Sequence, residues 1–413
     1  MTRLDDGAIR LRSGRSVWQA YEAPQPDLSA PRTPGVYQAD IAIVGAGITG
    51  AFLAERFSRE GRQVIVLDRH APATGSTAAS TAMLLWELDA SLVELEDRMG
   101  LASAARVSTR CRRQVAGIAE LVAAYGIAAD LLPRPSLYLA GDKLDAADLR
   151  EEHRIRQHLG YEGVYLDEGE LAARGMIGSA GLLYPGSAEV DPVKLARGLM
   201  TIAVARGTRV ISPAIAAVYE ASSTGVIIET QEGDIVRTRT LVLASGYEMP
   251  DFVPAARHTL CTSWAIATPP IAGVANSPWP DGALAWEASD PYLYLRTTVD
   301  GRVIIGGEDE EFSDAGRRDE MTPQKIEALL AKAAKRCPGL SHAEPEFAWS
   351  GVFGETDDSL PMIGRVPGRA NCLAAYGYGG NGITFSALAA ELLPAELSGQ
   401  PDRDAEFCAL DRD

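Results

Sequence analysis

The chain has 413 residues, 46% of them hydrophobic and 23% charged, enough for a sizeable core and for two or three domains. Its formal net charge of -17 argues against a nucleic-acid partner and against an anionic membrane surface. No segment has the length and apolarity of a membrane span. The five cysteines (Cys111, Cys261, Cys337, Cys372, Cys408) are scattered and include no CxxC pair, so they indicate neither a zinc site nor a disulfide framework. The five histidines show no metal-ligand spacing. Reduced thiols and a charged, glycine-broken N-terminus, "MTRLDDGAIRLRSGRSVW", fit a cytoplasmic protein without a secretory signal.

Residues 1–36 form an arm rich in proline. A buried strand follows at 40–44, then a glycine turn, then a helix with Ala51, Leu53, Ala54 and Phe57 at helical spacing. "QVIVLD" (63–68) is a second strand, so the opening is a βαβ unit with short connections. Helices are expected from 90 to 125 and a strand near 136–142. "VDPVKLARGLMTIAVARG" (190–207) predicts an amphipathic helix closed by Gly207. A hairpin turning at Glu232-Gly233 leads into the buried strand "TLVLA". Between 251 and 349 the pattern changes to antiparallel strands: "TSWAIAT", "PYLYLRTT" and "RVIIGGED", with a helix at 322–336. Glycine-rich turns and a helix return in "GYGGNGITFSALAAELL".

In "DIAIVGAGITG", Gly45, Gly47 and Gly50 fit the three roles of a dinucleotide fingerprint: the tight turn, backbone approach to a pyrophosphate, and close helix–strand packing. The following helix turns its positive end to the diphosphate. Asp68, at the tip of the next strand, is placed to accept hydrogen bonds from ribose hydroxyls. The fingerprint alone does not separate a nicotinamide from a flavin. The small-residue segment "ATGSTAASTAML" (73–84) lets a flat ring or ribityl chain lie against backbone, with the hydroxyls of Ser76, Thr77 and Thr81 as donors.

These features, together with "LVLASG", "WSGVFGETDDSLPMIG" (349–364) and "AAYGYGGNGITFSALAAELL" (374–393), resemble the FAD-dependent D-amino-acid oxidase, sarcosine oxidase and glycine oxidase superfamily. "SVWQAYEAP" and "DPYLYLR…VIIGGEDEEF" resemble its gamma-glutamylputrescine oxidase-like members more loosely. The resemblance implies an α/β (overall α+β) protein. A Rossmann-like FAD-binding domain would take 37–90, 188–250 and 350–400. A discontinuous antiparallel-sheet substrate domain would take 91–187 and 251–349, with a tail at 401–413. FAD would lie against Gly45, Ala46, Gly47, Ile48, Thr49, Gly50, Asp68 and Arg69, then against Ser76, Thr77, Ala78, Thr81, Ala82 and Met83. Ala216, Ala244, Ser245 and Gly246 would complete the nucleotide end, and Gly379, Gly380, Asn381, Gly382, Ile383 and Thr384 the ring end. The helix opening at Thr384 would aim its positive end at charge developing on the flavin. Asp357 or Asp358 would brace the neighbouring loop.

On the substrate side, strand alternation puts Tyr292, Tyr294 and Arg296 on one face and Leu293 and Leu295 on the other. That face either lines a pocket, with Arg296 pairing with a substrate carboxylate, or meets solvent. Trp86, Trp264, Trp286 and Trp349 are candidate walls or core, and Glu308 and Asp309 are candidate holders of a cationic amine or a solvated turn. Three departures from sarcosine oxidases stand out. "WSGVFGET" lacks their covalent cysteine, which implies non-covalent FAD. Thr384 stands where they have a substrate-gripping lysine. Ile304 stands where they have the lysine that promotes reaction with oxygen. The expected function is FAD-dependent oxidation of a small amine or amino acid, with oxygen or another acceptor reoxidising the flavin. The alternatives are a flavin dehydrogenase of 2-hydroxy-acid type and a flavoprotein whose FAD is structural or regulatory.

Overall fold

A computed structural model describes residues 10–20, 28, 34–271 and 282–412. Most of the proline-rich arm therefore lies outside the described residues, except that Arg12–Arg15 adds a strand antiparallel to Phe347–Thr356.

Among the described residues, two sheets organise the chain. The first has eight strands, in which Cys372–Tyr376, Ile235–Leu243, Val36–Val44, Val64–Leu67 and Arg209–Ile211 run parallel side by side. Val36–Val44 is longer than the expected 40–44 because it pairs along its whole length with Ile235–Leu243. The hairpin expected at Glu232-Gly233 joins Gly225–Thr230 to Ile235–Leu243. Helices Ile48–Arg59, Pro192–Ala205 and Gly382–Leu397 pack together on one face of this sheet, through Phe52, Leu53, Phe57, Leu195, Leu199, Leu388 and Leu392. Asp191 starts the second of these helices by accepting from Val193 and Lys194 N–H, both at 3.0 Å.

The second sheet has ten strands and is mainly antiparallel. Its centre is formed by Phe347–Thr356, His258–Ala267, Val303–Glu310 and Leu293–Thr297. Helix Ala315–Arg336 covers one face, packing Leu329 and Ala333 on Leu137, Leu293, Leu295 and Ile305. It starts seven residues before the expected 322 because Asp314 caps it, accepting from Arg317 N–H at 2.7 Å. The leucines of "YLYLR" thus belong to this helix-covered core. The tyrosines look the other way, toward the first sheet. Strand Phe347–Thr356 crosses position 350 and lies wholly in this second sheet.

Strand Val36–Val44 sits between Val64–Leu67, which follows it in sequence, and Ile235–Leu243, which comes much later. The crevice outside the carboxyl ends of such strands, where the order reverses, is the physical place for a ligand. Gly45 occupies that point with φ of 113°, and its N–H bonds Leu67 O at 2.8 Å. A Cβ there would strike the Ala244 carbonyl, and one on Gly50 would strike the Gly45 carbonyl. Gly50→Ala should therefore cost about 3 kcal/mol of stability by forcing the helix off its strand. Chemical denaturation checks this, and an unchanged unfolding midpoint would contradict the packing described.

Candidate active site

A cavity of about 960 Å³ runs from the crevice at Gly45 across to the exposed face of the second sheet. It is large enough for a dinucleotide-sized ligand. Two helix N-termini open onto it. Helix Ile48–Arg59 begins after Gly47 and helix Gly382–Leu397 after Asn381, and neither start is capped by its own side chain. Both leave positive N–H ends for a ligand. Of the first set, only Ile48 N–H is taken by a neighbouring side chain, donating to Thr77 Oγ1 at 2.9 Å.

The family model for FAD dependent oxidoreductases, DAO, matches residues 40–395. The chain belongs to this family. It is 25% identical to a glycine oxidase of Geobacillus kaustophilus (strain HTA426), over 87% of this chain and 92% of the relative. It is 26% identical to a probable oxidoreductase OrdL of Rhizobium meliloti (strain 1021), over 92% and 87%. The crystal structure of glycine oxidase from Geobacillus kaustophilus superposes with a TM-score of 0.75 at 21% identity, covering 91% of this chain and 99% of that one. The fold is that of the DAO flavoenzymes, and the cofactor is FAD.

The residues present fit FAD. Gly382 leaves open space where a side chain would intrude, and a Cβ on Gly47 would crowd Thr77 Oγ1. Ser76 Oγ is buried without a hydrogen-bond partner, and Ser76 and Tyr378 both line the cavity. Asp68 lines it too, although its oxygens already accept from Ala46 N–H at 2.6 Å and His70 N–H at 2.7 Å. Burial raises the Asp68 pKa, and those two N–H bonds act against the rise. Arg69 also lines the cavity and pairs with Glu248. Ile48, Thr49, Thr81, Ala82, Met83, Ala216, Ala244, Ser245, Gly246, Gly379, Gly380, Asn381 and Ile383 complete the expected lining. Ala46, Gly50 and Ala78 do not line it. Gly50 is a packing residue, and Ala46 and Ala78 are buried in the core.

Two catalytic candidates take other roles. Thr384 is buried away from the cavity, and its hydroxyl donates to Leu85 O at 3.0 Å. Its helix starts earlier, at Gly382. With Asn381 Nδ2, which donates to Leu85 O and Glu87 O at 3.2 and 2.8 Å, it clasps loop 85–89 onto the glycine segment. Gly380 N–H completes the clasp by donating to Asp89 at 2.9 Å. Arg296 is likewise buried. One of its terminal nitrogens donates to Thr81 O, Ala82 O and Val190 O at 2.9, 2.8 and 3.1 Å, and Glu189 lies 3.9 Å away. It does not line the cavity, so it is not placed to meet a substrate carboxylate. Instead it holds the small-residue segment in place, beside Trp349 Nε1, which donates to Ala79 O at 2.8 Å.

Tyr292 and Tyr294 do line the cavity, their ring centroids 5.8 Å apart. Tyr294 lies over Gly306, where any side chain would collide with its ring. Its hydroxyl is 3.4 Å from Ser263 Oγ. Trp264, Trp286 and Trp349 line the cavity, whereas Trp86 is core against Tyr161 and Tyr184. Trp286 is stacked on Tyr138 at 3.8 Å. Glu308 pairs with Lys325 and Lys332. Asp358 braces its loop as expected, accepting from Leu360 N–H at 3.0 Å and from Arg412. Ile304 is buried. Asp89, Tyr247 and Tyr378 line the cavity without having been signalled by the sequence.

Arg296→Ala would leave three buried carbonyls without their donor and Glu189 with Arg134 alone, so a loss of about 3 kcal/mol in stability is expected. A thermal melt of the purified variant checks this, and a change in substrate KM without loss of stability would contradict it. A second expectation concerns Glu355, which burial and the charges of Asp89 and Asp309 push up to about 7. A carboxyl with a folded pKa above its unfolded value loses stability as pH rises through that interval. Glu355→Gln should therefore raise the melting temperature more at about pH 8 than at about pH 5. Equal effects at the two values would contradict the assignment.

Proposed function

We propose that this flavoenzyme oxidises the C–N bond of a small amine or amino acid to an imine, which water hydrolyses to a carbonyl compound. The observation that carries the reading is the single cavity shared by the glycine segment 379–383 and by Tyr292 and Tyr294 of the second sheet. A substrate between them would be sandwiched against the ring. Bound FAD supplies the hydride acceptor. The chain's own part is positional and electrostatic. Tyr292, Tyr294 and Trp286 bound the substrate space and exclude water, and the open N-terminus of helix Gly382–Leu397 offers N–H groups to developing negative charge. Relatives bearing the names glycine oxidase and iminodiacetate oxidase support the reaction class.

The domain division follows the sheets: the parallel sheet would anchor FAD and the antiparallel one would roof the ring. Oxygen or another small acceptor would reoxidise the flavin. Five buried, unpaired cysteines suit a cytoplasmic protein. Among the described residues, no helix is long and apolar enough to cross a membrane.

Anaerobic addition of amines and amino acids to the yellow protein should bleach its flavin absorbance. Bleaching only by 2-hydroxy acids, or by no compound, would overturn the reading. Among the described residues no cysteine lines the cavity, so acid precipitation should leave the yellow colour in the supernatant. Colour retained in the pellet would show a covalent link.

A further inference from the structure

The small-residue segment 73–82 runs along the cavity in a shape its own residues do not favour. Ala73 and Ala82 stand at its two ends with φ of 64° and 56°. Left-handed backbone is strained for a residue that carries a Cβ, and it persists only where the surroundings hold it. Between the two alanines, Gly75, Ser76 and Thr77 line the cavity, and Thr77 Oγ1 accepts the Ile48 N–H at the start of helix Ile48–Arg59. The shape of this segment therefore sets part of the wall offered to FAD.

The N-terminal arm, which lies outside the family match beginning at residue 40, grips this segment near both strained ends. Arg12 Nε donates to Thr74 O at 2.7 Å, next to Ala73. Trp18 Nε1 donates to Ser80 O at 2.7 Å, two residues before Ala82. The guanidinium of Arg296, which holds Thr81 O and Ala82 O, lies 5.4 Å from the centre of the Trp18 ring. The arm is in turn docked on the second sheet. Its strand Arg12–Arg15 pairs with Phe347–Thr356, and Leu11 O accepts from Val352 N–H at 2.9 Å. Arg318, fully buried in helix Ala315–Arg336, donates to Arg10 O and, at 3.1 Å, to Ser13 Oγ. Val17 and Trp18 are core residues. Arg10 and Leu11 themselves line the cavity, with Leu11 Cδ1 3.6 Å from where a side chain on Gly75 would begin.

A contact that favours the binding shape of a segment over its relaxed shapes raises ligand affinity by the same factor. We propose that residues 10–18 are a cofactor clamp, which holds segment 73–82 in its FAD-binding shape and completes the cavity wall with Arg10 and Leu11. Arm and cofactor then strengthen each other. By linkage, FAD must hold the arm as firmly as the arm holds FAD. The clamp draws on both sheets: the second sheet carries the arm, and the arm fixes the segment that meets the helix N-terminus of the first.

The test uses the full-length protein, stripped of FAD and reloaded, and reads cofactor binding rather than turnover. Arg12→Ala combined with Trp18→Phe removes both donors to the segment and keeps an aromatic ring in the core. It should raise the Kd for FAD, followed by quenching of flavin fluorescence, roughly tenfold. A second measurement needs no variant. Trypsin should cut the unaltered protein after Arg12 and Arg15 roughly tenfold more slowly once FAD is reloaded, because cleavage follows the population of the undocked arm. Cleavage after the exposed Arg403 is the control for any general stabilisation by FAD. A Kd unchanged in the folded double variant, or arm cleavage slowed by FAD no more than cleavage at Arg403, overturns the proposal.

Discussion

The site depends on how closely the backbone at Gly45 approaches its neighbours. Its turn lies against the Ala244 carbonyl on one side, while Gly50 lies against the Gly45 carbonyl on the other. Only residues without a Cβ allow both contacts. Together they bring the ends of strands Val36–Val44 and Ile235–Leu243 and the start of helix Ile48–Arg59 into one crevice. With Leu67 O bonded to Gly45 N–H, the third strand end is fixed there as well. The helix N-terminus then has no choice but to face the space where the strand order reverses.

The rest of the cavity comes from the second sheet and from what fastens it to the first. Leu293 and Leu295 commit one face to helix Ala315–Arg336. The opposite face is left for Tyr294, Ser263 and Gly351. The small-residue segment passes between the sheets, and Arg296 and Trp349 hold it by its carbonyl groups, as Trp18 does through Ser80 O at 2.7 Å. Buried, unsatisfied carbonyls would be costly, so these side chains serve the architecture before they can serve a substrate. Asn381 and Thr384 do the same for loop 85–89.

Much of this was legible from local pattern. The βαβ opening, the hairpin at Glu232-Gly233 and the alternation in "YLYLR" each rest on periodicity or turn chemistry that short stretches contain. The glycine fingerprint marked the crevice at Gly45, and with its distant partners near 380 it pointed to FAD. The bonding of Arg296 and Thr384 is not legible in the sequence, for one shared reason. A buried donor goes to whichever acceptor folding brings within reach, and Val190 O and Leu85 O are far away in sequence. Asp89 carried no signal because nothing in "LWELDAS" marks the cavity; its place follows from a clasp across some three hundred residues.

The sequence by itself determined the cofactor crevice, because glycine positions and strand-end acids are local requirements of backbone geometry. It also determined which face of "YLYLR" would be apolar. Only the tertiary structure decided the placement of charge beside Tyr292 and Tyr294. A single extra residue in strand Val303–Glu310 separates Glu308 from Asp309 across a sheet. Charges so placed act through distance and burial, and neither quantity exists along a linear chain.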